Sequence, residues 1–127
     1  MLFRYNTAAG ARAKLTHYGL WDLLSEGAFC VDATARAGIA ERAMTLATAD
    51  GGVSPESAIV IGDTPHDIEC ANAIAARTIA VATGGYCLDE LDAHRPWRAL
   101  SELPALDDFL ALIDRADVSA EIGRAHV

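Results

Sequence analysis

Apolar positions recur along this chain with two different periods. From Ala8 to Tyr18, the residues Ala11, Leu15 and Tyr18 fall at the spacing of one helical face, and Gly19 is placed to stop that helix. Gly27 to Val31 is a short apolar run ending at Asp32, which predicts a strand. Helical spacing returns from Arg36 to Ala49 through Ile39, Ala43, Leu46 and Ala47, with Ala40 and Met44 beside them, and Asp50-Gly51-Gly52 closes the segment. Ser54-Pro55-Glu56-Ser57 is a turn into a wholly apolar strand, Ala58 to Ile61. A helix is predicted over 65–76, followed by the continuous run Thr78 to Ala82, as a buried parallel strand requires. Thr83-Gly84-Gly85 is a turn, and 97–100 is a short edge strand. Leu103, Leu106, Leu110 and Ile113 mark a last amphipathic helix.

Strands that alternate with helices predict an α/β fold, a Rossmann-like three-layer α/β/α parallel sheet. The sheet reads as short, and the pattern opens on a helix where a βαβ unit normally opens on a strand. Composition narrows the partners. The chain has 127 residues, 52% of them hydrophobic, which is enough for one packed domain. A formal charge of −8 leaves no electrostatic footprint for nucleic acid. Cys30, Cys70 and Cys87 are scattered without Cys-x-x-Cys spacing, so neither a disulfide framework nor a zinc site is indicated, and a cytoplasmic location fits. No apolar run approaches the roughly 18 residues that cross a bilayer, so no membrane partner is expected.

The chemistry concentrates in Ile59-Val60-Ile61-Gly62-Asp63-Thr64-Pro65-His66-Asp67. Open α/β sheets bind ligands beyond the carboxyl ends of their strands, beside helix N-termini, and two carboxylates stand there. Asp67 has two readings. With Thr64 as N-cap and Pro65 at the first helical position, it completes a Thr-x-x-acid capping box, or it belongs to a site. Asp63 precedes the cap, where structure alone demands no acid. An acid there repels a phosphate unless a hard cation such as Mg²⁺ sits between them. No Gly-x-Gly-x-x-Gly follows a strand, which disfavours a dinucleotide-binding unit.

This stretch resembles the last signature motif of the haloacid dehalogenase superfamily of hydrolases, an apolar strand followed by Gly-Asp-x-x-x-Asp. The similarity extends over most of residues 6 to 113. Gly10 to Leu15, Tyr18 to Asp22 and Gly27-Ala28-Phe29 look like the segment after the second motif of phosphatase-like members, and Ala80 to Gly84 with Tyr86 continues it downstream. The resemblance implies a Mg²⁺-dependent phosphatase of a small phosphorylated metabolite that passes through an aspartyl-phosphate. Asp63 is then the metal ligand and Asp67 its supporting acid. Alignment on Gly27-Ala28-Phe29 puts Arg36 at the place of the third motif's cation, with Lys14 as runner-up; each also reads as a surface residue. Asn6 alone fits the second motif, Thr-Gly-Asn, as a phosphate-binding residue. His66 reads as an exposed first-turn histidine or a substrate contact, and Gly84 with Gly85 as a plain turn or a pocket rim.

The first motif, Asp-x-Asp-Gly-Thr, which supplies nucleophile and general acid, has no counterpart, because no Asp-x-Asp occurs in these residues. The segment 6–116 therefore reads as the carboxyl-terminal part of such a core, without its first strand and cap, and inactive by itself. Two alternatives are a non-catalytic Mg²⁺- or phosphate-binding half-domain that needs a partner chain, and a dehalogenase-type member. The ends add to this expectation. Glu121 to Val127 back-translates as the start of a common short-read sequencing adapter, and Leu2-Phe3-Arg4 matches the opposite one. Residues 1–5 and 121–127 are thus expected to be non-native. A sheet without its first strand is also expected to self-associate through the edge left open.

Overall fold

The computed structural model describes residues 7–24, 26–29 and 36–114. Helix α1 (Ala8–His17) begins at Thr7, whose Oγ1 accepts the Gly10 N–H at 3.2 Å, and ends at Gly19, which takes a positive φ of 68°. A 3₁₀ turn, Trp21–Leu23, follows. Of the strand expected over 27–31, the described part is a single bridge at Phe29; Cys30 and Val31 lie outside the described residues. Helix α2 (Arg36–Gly51) stops at Gly52, again at positive φ, and a 3₁₀ turn, Pro55–Ser57, leads into strand β1 (Ile59–Gly62). Then come α3 (Pro65–Ala73), β2 (Arg77–Val81), α4 (Leu88–Asp92), β3 (Arg98–Leu100) and α5 (residues 106–114).

The described sheet has the order β1-β2-β3, parallel throughout, with Ile61 beside Ile79, Gly62 beside Ala80, and Val81 beside Leu100. Ile68 of α3 and Leu91 of α4 both pack on Ala80, so these helices share one face. Ile79 and Val81 alternate onto the opposite face and are equally buried, so β2 is covered on both sides. That is the α/β parallel-sheet arrangement expected. A second cluster joins Ala28 to Ile39 and Ala43 of α2.

Three expected apolar faces turn out differently. In α1 only Ala11 is buried, and Tyr18 is 73% exposed beyond the helix end, its ring edge-on to His17. In α2 the buried line runs through Ile39, Ala40 and Ala43, leaving Leu46 exposed. In α5, Leu106 and Leu110 are exposed and Phe109, Leu112 and Ile113 are half-buried. Helical periodicity admits several adjacent stripes, and the covering neighbour selects among them. Helix α3 also ends earlier than expected, because Ala75 turns to a positive φ of 56°.

Truncating Ile68, fully buried between sheet and α4, leaves a cavity in the main core. Ile68→Ala is expected to lower the unfolding free energy by about 2–5 kcal/mol, whereas Leu46→Ala stays within about 0.5 kcal/mol of the parent. Urea denaturation monitored by circular dichroism checks both.

Candidate functional site

Parallel pairing sends the segments after β1 and β2 out of the sheet at the same end. Asp63 follows β1 directly, and the turn over residues 82–87 follows β2 beside it. The carboxyl ends of two neighbouring strands and the N-terminus of α3 thus meet in one corner. Asp63 is half-buried there, and among the described residues its carboxylate takes no hydrogen bond and no ion pair.

Asp67 is bound more firmly. Its Oδ2 accepts both the backbone N–H of Thr64, at 3.0 Å, and the Thr64 hydroxyl, at 2.7 Å. Its own N–H donates to the Thr64 carbonyl at 3.1 Å. This is the acid arm of a capping box, so the structural reading of Asp67 holds in the geometry, with its other oxygen taking no described hydrogen bond. The carboxylate also rests against the backbone of Gly62, where an added Cβ would overlap Asp67 Cγ and Oδ2. Gly62 is therefore required by close approach rather than by its φ. A corresponding contact joins Gly84 to Asp63, and a Cβ there would stand 2.9 Å from Asp63 Cγ.

His66 is exposed and pairs with Glu69 at 3.2 Å, a contact on the solvent face of α3 worth little to stability. Lys14 is exposed on α1, whose main packing partner among the described residues is the Trp21–Leu23 turn. Arg36 is the first residue of α2, and Asn6 lies outside the described residues. A groove between α2 and the far end of α3, lined by Met44, Thr48, Ala49, Pro55, Ala73 and Ile74 among others, includes neither carboxylate in its lining.

The matching family model is that of HAD-hydrolase-like proteins, and it covers residues 35–106, more than half of the chain. The chain belongs to this family. The match takes in α2 through β3, including Asp63, Asp67 and Gly84, and leaves Asn6 and Lys14 outside. A search of curated proteins returns no match.

HAD-like hydrolases generally use Mg²⁺, and the donors here suit that ion in one particular manner. No group of three or more His, Cys, Asp and Glu side chains forms a metal cage among the described residues. One carboxylate without a partner among the described residues, set against Gly84 and four residues before a second acid, suits a cation that keeps several waters and takes phosphate oxygens besides. No described helix is long and apolar enough to cross a membrane.

Sequence reading had not singled out Glu90. Its Oε2 accepts the Cys87 N–H at 2.8 Å, which closes the turn after β2 onto α4. The signal was hidden because cysteine, not serine or threonine, occupies the N-cap. The Cys87 backbone hydrogen bond, helped by the Cys87 side chain, holds the Glu90 carboxyl below its ordinary range. A folded-state pKa lowered in this way stabilises fully above the ordinary carboxylate value, and the contribution disappears as pH falls through the lowered one. Glu90→Ala should therefore melt below the parent near neutral pH, with the gap narrowing on acidification; a gap independent of pH would contradict this.

Proposed function

We propose that this chain carries the Mg²⁺ corner of a cytoplasmic phosphatase acting on a small phosphorylated metabolite. Asp63 is the metal ligand in this reading and Asp67 supports it from the first turn of α3. The observation that carries the reading is Asp63 itself. A half-buried carboxylate without a described partner, at the carboxyl end of a parallel strand, stands where open α/β sheets bind ligands and has its oxygens free of described hydrogen bonds to offer a hard cation. Bound there, Mg²⁺ would neutralise charge on the transferring phosphoryl group. The protein's part is to hold the Asp63 oxygen in place and to keep Asp67 fixed through Thr64. Arg36, at the start of α2, takes the role of the phosphate-steadying cation, a use that suits a guanidinium, with Lys14 as the second candidate.

No Asp-x-Asp occurs in the 127 residues, so the reading places the nucleophilic carboxylate and the aspartyl-phosphate step outside them. The chain alone is then a binding corner without turnover. Mg²⁺ is expected to raise the melting temperature of the parent chain in a concentration-dependent way and to leave Asp63→Asn unmoved. An equal shift in both, or none in the parent, removes the metal reading. Hydrolysis of p-nitrophenyl phosphate should be no faster than with Asp63→Asn; Mg²⁺-dependent turnover lost on that substitution would overturn the inactivity.

A further inference from the structure

Two adjacent glycines follow β2, and the structure separates them sharply. Neither Gly84 nor Gly85 has the positive φ that would explain a glycine by backbone conformation. A Cβ on Gly85 would meet nothing within 4 Å. A Cβ on Gly84 would overlap Asp63 Oδ2 and stand 2.9 Å from Asp63 Cγ and 3.2 Å from its Cβ. The space that a side chain at position 84 would fill is already taken by the Asp63 carboxylate.

We infer that Gly84 is the positioning residue for Asp63, the missing side chain that lets the turn after β2 close on this carboxylate and set its direction. The inference rests on the reading of Asp63 as metal ligand and deepens it. Asp67 is oriented by two hydrogen bonds from Thr64, whereas Asp63 has no described hydrogen bond to do so. Contact with Gly84 is a restraint that the described structure does provide on that side chain. Mg²⁺ demands near-ideal octahedral geometry, so a carboxylate pushed aside by a Cβ offers its oxygen in the wrong place. Gly84→Ala introduces no backbone strain at this φ, so its effect reports on the contact itself.

The test uses the full chain and Mn²⁺ as the probe, with free Mn²⁺ measured by electron paramagnetic resonance. Gly84→Ala is expected to weaken binding by about 10–100-fold, as loss of a residue that orients a ligand does, while Gly85→Ala binds as the parent does. Equal binding by Gly84→Ala and the parent, or an equal loss in Gly85→Ala, overturns the inference. Thermal melting separates the contact from the metal. Gly84→Ala should lower the melting temperature clearly more when Asp63 is present than in an Asp63→Ala background, where the carboxylate is gone and only the Cβ of residue 63, 3.2 Å away, remains. If Asp63→Asn binds Mn²⁺ like the parent, the metal reading falls while this cycle still decides the contact. Equal loss in both backgrounds, including failure of both to fold, overturns the inference.

Discussion

The parallel register between β1 and β2 is the constraint on which the rest of this structure depends. Pairing Gly62 with Ala80 makes both chain segments leave the sheet at one end and one level. Asp63 and the turn carrying Gly84 are thereby pressed together, and α3 begins in the same corner. The pairing in turn depends on burial of both faces of β2, where Thr78, Ile79, Ala80 and Val81 are all buried. A slip of one residue would turn each of these side chains to the opposite face and carry Gly84 away from Asp63.

The two acids in the corner are held by different physics. Asp67 belongs to the helix: Thr64 binds it through N–H and hydroxyl, and its position follows from local capping. Asp63 belongs to the gap between two loops, and it is located by van der Waals contact with a backbone. One carboxylate is thus fixed by its own turn, and the other depends on the whole sheet. In the proposed reading of this corner, the division suits a centre in which the protein supplies a few oxygens and the remaining positions go to water and phosphate.

Much of the fold was legible because its signals are short-range. The run Ile59 to Ile61 ending at Gly62, the Thr64-Pro65 start of α3, and the glycines after α1 and α2 act within a few residues, and the structure carries each out. Helix α4 was missed because five residues with a cysteine N-cap carry neither a full apolar period nor the usual capping signature. The membership in the HAD-hydrolase-like family was likewise legible, since Gly62, Asp63 and Asp67 sit together in the chain.

The sequence by itself determined the strand, the cap and the placing of two acids at a strand's carboxyl end, because strand length and helix capping are local properties. Only the tertiary structure decided which helical stripe is covered. Tyr18, Leu106 and Leu110 lie at core spacing yet are exposed, for lack of a described neighbour to bury them. It also decided which of two identical glycines matters. Gly84 and Gly85 are indistinguishable as a turn, and strand register alone brings the Asp63 carboxylate against one of them.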